Sequence, residues 1–93
     1  MIIVSGKLYI QPGQREPFID QSATAVKEAR QTVGCRDFVV AADPIEANRV
    51  NVYEEWESVE ALLAFRGDGP GDDLSSMITK AAVHEYEAAP YVE

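Results

Sequence analysis

Two side chains of this chain stand out as groups that could move a proton or hold a negative charge. His84 is the only histidine, and imidazole is the side chain that exchanges a proton near neutral pH. It could serve as a base, or it could be a half-buried strand histidine with one hydrogen bond. Arg66 falls at the end of a predicted helix, where a cation favours the helix dipole. Its guanidinium could instead stabilise an anionic substrate.

Three further features could suggest chemistry but are better explained by structure. We expect Cys35 to be a buried, inert thiol that follows the first helix. Glu54, Glu55 and Glu57 resemble a paired-carboxylate cluster, yet we interpret them as solvated charge, and only Glu54 and its strand neighbours could point inward. Residues 67–71 are glycine-rich but lack the lysine and hydroxyl residue of a phosphate loop, so we predict a flexible lid.

Composition excludes several classes of partner. The chain has 93 residues, with 16 acidic and 8 basic side chains and a formal net charge of -8. This charge disfavours nucleic acid and anionic membrane surfaces as partners. There is no metal-spaced Cys/His cluster, no cofactor motif, no apolar run of the roughly 20 residues that span a membrane and no signal-peptide pattern. A single cysteine excludes an internal disulfide and fits a cytoplasmic location.

Apolar periodicity predicts the elements that must position these side chains. Alternation predicts strands over residues 2–10, 36–41, 49–56 and 81–87. Helical spacing predicts helices over residues 16–33, from a Ser58 cap onward, and over residues 72–78. The first helix is expected to bury Phe18, Ile19, Ser22, Val26, Ala29 and Val33, and the second Val59, Leu62, Leu63 and Phe65.

The order of these elements indicates an α+β fold of the ferredoxin-like split βαβ type in one domain, residues 1–93. A four-stranded antiparallel sheet would be covered by helices on one face. The other face would leave apolar side chains open to water, either Ile3, Tyr9 and Tyr53 or the side chains opposite them, depending on the strand register. We therefore expect a homodimer in which a second copy covers this face. Asn51 shares the strand face of Tyr53, and both are interpreted as residues of that interface, with a place in the pocket as the alternative.

Several short segments, taken together, resemble the antibiotic biosynthesis monooxygenase (ABM) family of dimeric α/β barrels. They are Gly34-Cys35, Phe38-Val39-Val40, Asp43-Pro44 and the run Tyr53-Glu54-Glu55-Trp56-Glu57-Ser58 that leads into Val59-Glu60-Ala61-Leu62. The most specific part is the tryptophan of the third strand just before a serine-capped helix. The resemblance extends over nearly the whole chain and implies a pocket in each subunit, between the sheet and its helices.

The same resemblance implies a function. Quinone-forming members oxidise phenolic polycyclic substrates with O₂ and without metal or flavin, so we expect no cofactor and a small aromatic or hydrophobic ligand. Trp56 would pack on the substrate ring, with Arg66 and His84 as polar catalytic partners; alternatively, Trp56 is a core aromatic that closes the sheet end. The pocket would be lined by Val52, Phe38, Leu62, Phe65 and Met77.

Two alternatives stay open. Quinone-forming members carry an asparagine four residues before the tryptophan, where this chain has Val52, which favours a non-catalytic dimeric module that binds a hydrophobic metabolite. Haem-degrading members carry an asparagine on the first strand and a histidine in the second helix. Gly6 and Arg66 stand at those positions in this chain. Both departures argue against haem degradation, which is the third interpretation.

Overall fold

The computed structural model describes residues 1–67 and 72–89 and confirms the predicted element order. Residues 68–71 of the predicted lid and Pro90, the predicted end of the last strand, lie outside the described residues. The elements are β1 Ile2–Ile10, α1 Arg15–Arg30, β2 Cys35–Ala42, β3 Arg49–Trp56, α2 Val59–Arg66, α3 Asp72–Met77 and β4 Ile78–Glu87. No helix in the described part of the chain is long and apolar enough to cross a membrane.

The four strands form one antiparallel sheet in the order β2-β3-β1-β4. Gly6 of β1 is paired with Val52 on one side and Val83 on the other. A Cβ atom at Gly6 would lie 2.1 Å from the backbone oxygen of Ala82, which is too close for a non-bonded contact of a Cβ atom. The close approach of β1 and β4 therefore requires glycine at this position.

Strand alternation gives the sheet two distinct faces, as predicted. Val4, Ile10, Val50 and Trp56 point to the face that carries the helices, and each is buried. Ser5 is aligned with Tyr53 and with His84, so these three side chains share the opposite, open face.

The helix-covered face holds two apolar clusters. Cluster 1 centres on Val4, Trp56 and Leu62, and cluster 2 centres on Ile10, Phe18 and Val50. Cluster 1 lies under α2, which begins at the Ser58 cap, whose hydroxyl accepts a hydrogen bond of 3.2 Å from the Ala61 amide. Cluster 2 receives residues of α1 and α3, among them Ile19, Leu74 and Met77.

Two predicted helix details were wrong. Helix α1 ends at Arg30, and Val33, expected on its buried face, is 92% exposed. The Thr32 hydroxyl donates a hydrogen bond of 2.7 Å to the Glu28 carbonyl and closes the last turn early. In α2, Leu62 and Phe65 pack inward as predicted, but Val59 and Leu63 are exposed because an eight-residue helix covers cluster 1 with one narrow stripe.

The last strand is longer than its alternation indicated. We expected the third helix to run through Ile78 and the strand to begin at Ala81, but β4 starts directly at Ile78. Ile10 pairs with Ile78 across a β-bulge, and the Gln11 amide donates to the Met77 carbonyl at 2.9 Å. These backbone hydrogen bonds extend the β1–β4 ladder into a segment whose apolar side chains have the spacing typical of a helix.

Candidate active site

Trp56 is the centre of an aromatic group on the helix-covered face. Its side chain is 0% exposed. The ring centroid of Phe65 lies 5.3 Å away in a tilted arrangement, and that of Phe38 lies 6.5 Å away, edge to face. Phe38 and Phe65 also contact each other at 5.8 Å. Since α2 supplies Phe65 and β2 supplies Phe38, the indole is held between a strand and the helix that covers it.

Glu54 is the polar member of this group. It lies two residues before Trp56 on β3 and therefore on the same sheet face. Glu54 is only 8% exposed, and its Oε1 accepts a hydrogen bond of 2.9 Å from Trp56 Nε1. The expectation of a solvated carboxylate was wrong at this position, because the pairing of β1 with β3 carries Glu54 opposite Val4 and into the core.

The surroundings of Glu54 disfavour its negative charge. Burial raises the pKa of the Glu54 carboxyl above its usual value, and the charge of Glu85 acts in the same direction. The hydrogen bond from Trp56 and the charge of Arg66 partly offset this increase in pKa. A carboxyl with a raised pKa beside an aromatic cluster can hold a proton closer to neutral pH than an exposed glutamate.

Arg66 stands at the rim of the same group. It lies in the last turn of α2, and its Nη1 donates a hydrogen bond of 2.9 Å to Oε1 of Glu85 on β4. The two side chains are 40% and 52% exposed. The ion pair therefore links the helix that covers Trp56 to the edge strand of the sheet, close to water.

The structure brings together only part of the predicted site. Phe38, Leu62 and Phe65 pack around Trp56, and Arg66 lies beside them. Val52 points to the same sheet face, one row further along the strands.

Two predicted site residues lie elsewhere. Met77 packs in cluster 2, because the backbone that joins α3 to β4 passes the other end of the sheet. His84 is exposed on the open face, since it pairs with Ser5. The strand register therefore separates His84 from Trp56 within one protomer.

The open face carries a shallow groove of about 450 Å³. Val39, Ala41 and Tyr53 contribute apolar surface, and Lys7, Arg49 and Asn51 contribute polar groups. Burial raises the pKa of the Tyr53 phenol, and the nearby Glu55 adds to that effect. Asn51 and Tyr53 share this face, as the strand pattern predicts.

A second carboxyl, Asp43, has the opposite environment in the β2–β3 turn. Its Oδ2 accepts hydrogen bonds from the amides of Glu46 at 2.8 Å and Ile45 at 3.0 Å, and its Oδ1 accepts from Asn51 at 2.9 Å. These hydrogen bonds, with the charge of Arg49, lower the pKa of Asp43 to about 2.

Within residues 1–67 and 72–89, no three His, Cys, Asp or Glu side chains converge to hold a metal ion. Cys35 is half-buried, its thiol lies 3.5 Å from the Asp37 carbonyl, and burial raises its pKa. A thiol with a raised pKa is a weak nucleophile at neutral pH, in agreement with the inert role expected from sequence.

Solved structures share this fold over nearly the whole chain. A candidate antibiotic biosynthesis monooxygenase from Deinococcus radiodurans has a TM-score of 0.86 at 21% identity, covering 100% of this chain and 97% of its own. A conserved protein from Methanosarcina mazei has a TM-score of 0.81 at 20% identity, covering 95% and 92%. A candidate antibiotic biosynthesis monooxygenase from Chloroflexus aurantiacus has a TM-score of 0.76 at 23% identity, covering 99% and 96%.

Sequence comparison gives two further matches. An uncharacterised protein of Synechocystis is 31% identical over 61 residues, which is 66% of this chain but only 42% of that relative's length. The profile of the antibiotic biosynthesis monooxygenase family matches residues 1–69, the segment that holds β1 to α2 and thus both Glu54 and Trp56. The chain therefore belongs to the antibiotic biosynthesis monooxygenase family.

Proposed function

We propose that this protein is a cofactor-independent monooxygenase that oxidises a small aromatic or polycyclic phenol with O₂ at the helix-covered face of its sheet. The proposal rests chiefly on the Trp56–Glu54 pair, a buried indole that donates to a buried carboxyl within an aromatic cluster. Aromatic walls suit a flat phenolic ring, and a low-polarity site with one ionisable group suits chemistry that begins with a phenolate. Membership of the family supports the same reaction class.

The reaction needs no external reductant. In an anthrone-like phenol, the ring methylene loses two C–H bonds and four electrons as it becomes a carbonyl. One atom of O₂ becomes the carbonyl oxygen, and the other accepts the two hydrogens and leaves as water. The protein would bind the ring against Trp56, stabilise the phenolate or reduced oxygen with the Arg66 cation and exclude bulk water.

Binding would require a local movement, because Trp56 has no exposed surface in this conformation. Helix α2 would supply this movement, since it covers the indole, has eight residues and is followed by Gly67 at a φ of 47°. Its side chains Leu62 and Phe65 cover the indole, and its last residue forms the exposed ion pair with Glu85. Displacement of α2 would open a ring-sized space beside Trp56.

The direct test is O₂ uptake by purified, metal-stripped protein with anthrone-like and naphthol-like phenols, followed by absorbance of the quinone. We expect one O₂ consumed per quinone formed from the anthrone-like substrate. Trp56→Phe should lose most of this activity, whereas Leu63→Ala, an exposed position on α2, should retain it. Failure of the folded wild-type protein to consume O₂ with any phenol of a broad panel would reject the proposal.

A second candidate function is supported by the complete burial of Trp56. A buried indole packed against Phe38 and Phe65 also fits a non-catalytic module, since Val52 stands where quinone-forming members carry an asparagine. In that case the protein would bind a hydrophobic metabolite or support another enzyme. Saturable quenching of Trp56 emission by an aromatic ligand, with no O₂ uptake, would favour this function.

We further propose that two copies associate through the open face. Ile3, Val39 and Tyr53 give this face apolar surface that one protomer leaves uncovered, and dimers are typical of the family. Val39→Asp would place a charge in that surface and should produce monomers in analytical ultracentrifugation. Val33→Asp, at a position that is 92% exposed, should leave the dimer intact. A monomeric wild-type protein would contradict the dimer.

A further inference from the structure

The proposed reaction begins with the loss of a phenolic proton, so the site needs a group that accepts it. His84 is exposed on the open face and pairs with Ser5, on the opposite side of the sheet from Trp56. Arg66 is a permanent cation and cannot take a proton. Glu54 is the ionisable group that the structure places inside the aromatic cluster.

The two carboxylate oxygens of Glu54 have different surroundings. Oε1 receives the Trp56 N–H at 2.9 Å, and in the described part of the chain no donor reaches Oε2. No described side-chain oxygen is both fully buried and unpaired, so Oε2 keeps contact with solvent. The hydrogen bond fixes the carboxyl beside the indole, and Oε2 is left available to a ligand.

The row of side chains between the two apolar clusters lies next to Glu54. Across the sheet, Glu54 aligns with Phe38 and Val4, and the next row of the same face holds Val52 and Gly6. In that row Val40 and Val83 flank Val52 and Gly6, and they pack in cluster 2 and cluster 1 respectively. Space for a ring beside the carboxyl therefore depends on the proposed displacement of α2.

We propose that Glu54 is the proton acceptor of this site and that its Oε2 takes the hydroxyl proton of a phenol bound beside Trp56 when α2 is displaced. This inference rests on the proposed function. The phenolic O–H bond breaks, its electron pair stays on the phenolate oxygen, and the proton forms a new O–H bond on Glu54. After the phenolate has reduced O₂, Glu54 returns that proton to the phenolic oxygen of the product, while the two methylene hydrogens leave in water.

The charged groups around Glu54 should tune this proton transfer. From α2, Arg66 lowers the pKa of Glu54, and from β4, Glu85 raises it. Glu87 shares the β4 face and pairs with Ile2, and on β2 the Cys35 thiol is the titratable neighbour. The side chains of β1 on this face, Ile2, Val4, Gly6 and Leu8, carry no ionisable group. Burial sets the direction of the net effect, a raised pKa that lets the carboxyl hold a proton delivered by a phenol.

The experiment uses a nitrophenol as probe, because its neutral and anionic forms absorb at different wavelengths. The wild-type protein, Glu54→Gln and the control Glu60→Gln are titrated at a pH where the free nitrophenol is neutral. Glu60 is exposed in the first turn of α2, so its variant makes the same change of charge outside the site. Unchanged far-ultraviolet circular dichroism shows that each variant is folded.

We expect wild type and Glu60→Gln to bind the probe as the anion and Glu54→Gln to bind it in the neutral form. With an anthrone-like substrate, Glu54→Gln should reduce kcat by roughly 100-fold or more, the usual contribution of a general base. Glu54→Asp should restore anion binding in part. The same bound form in wild type and Glu54→Gln, no saturable binding to wild type, or full turnover by Glu54→Gln would each overturn the inference.

The nitrophenol titration and the O₂ uptake assay distinguish a failure of this inference from a failure of the proposed function. If wild type binds the probe as the anion through Glu54 but consumes no O₂ with any phenol, oxygenation fails and Glu54 remains a proton acceptor for bound phenols. If O₂ uptake is retained in Glu54→Gln, oxygenation holds and the role of Glu54 is wrong.

Discussion

The two ends of β3 carry carboxyl groups in contrasting environments. At its start, Asp43 of the preceding turn accepts three hydrogen bonds, and these bonds, with a smaller contribution from the charge of Arg49, lower its pKa to about 2. At its end, Glu54 has a single hydrogen bond from Trp56 and a raised pKa that follows from burial.

The difference indicates which end is built for stability and which for chemistry. Asp43 is stabilised as an anion by several donors, so its charge strengthens the turn over the whole neutral range. Glu54 is held in a setting that opposes its charge, and a sequence selected for stability alone would replace it with an apolar residue. Ionisable groups kept in such settings are concentrated at functional sites.

The largest expected effect comes from Trp56→Ala. Loss of a completely buried indole should lower the free energy of unfolding by about 3–5 kcal/mol, measured by urea denaturation. The acid-induced loss of stability that originates at Asp43 should stay unchanged. Leu63→Ala, at an exposed site on α2, should alter the free energy of unfolding by no more than about 0.5 kcal/mol. A similar decrease in the free energy of unfolding for both variants would show that Trp56 is not a core residue.

Acid should weaken the start of β3. The pKa of Asp43 is about 2 in the folded chain and near its usual 3.8 in the unfolded chain, so the unfolded chain binds more protons between these values. Stability from Asp43 should therefore be complete above about pH 4 and be lost as the pH falls toward 2. Thermal unfolding of wild type and Asp43→Asn across this range should converge at low pH. A constant difference in Tm would contradict this prediction.

Glu54 should have the opposite pH dependence. Its folded-state pKa is raised, so the folded chain binds more protons than the unfolded chain between the usual value of 4.5 and the raised value. Stability should fall as the pH rises through that window. Glu54→Gln should remove this decrease, which denaturation at a series of pH values can measure. If stability still decreased with rising pH in Glu54→Gln, another ionisable group would be responsible for the decrease.

Arg66→Gln should have the smallest effect on stability. Its ion pair with Glu85 is partly exposed, and such pairs contribute about 0.2–1 kcal/mol. The informative result is the pKa of Glu54, which should rise because the Arg66 cation lowers it. Lys27→Gln, on the exposed surface of α1, removes the same charge and should leave that pKa unchanged. Equal shifts of the Glu54 pKa in both variants would mean that this pKa responds only to the net charge of the protein.

Most of the fold could be predicted from residue patterns. Period-two alternation located the strands, and Ser58 and the glycine-containing turns bounded the second helix. The exceptions have local causes. Thr32 ends α1 before Val33 through a side-chain bond, and β4 begins at Ile78 because backbone pairing with β1 overrides a helical pattern of side chains.

The site was less predictable, since it depends on which strands are neighbours. Trp56 and its aromatic partners followed from the resemblance to the family, but His84 could not be assigned to a face without the register of β4. Glu54 was interpreted as solvated because it lies in a run of acidic residues. The signal for its burial was present, since Glu54 alternates in step with Val50, Val52 and Trp56.

The most direct test is a carboxyl ¹³C NMR titration of the wild-type protein, which follows Asp43 and Glu54 in the same sample. Glu54 should titrate above its usual value of 4.5 and Asp43 at about 2. In Trp56→Phe the indole donor is lost, so the pKa of Glu54 should rise further while that of Asp43 stays constant. A Glu54 pKa at or below 4.5 would contradict the assignment of this end of β3 as the reactive site.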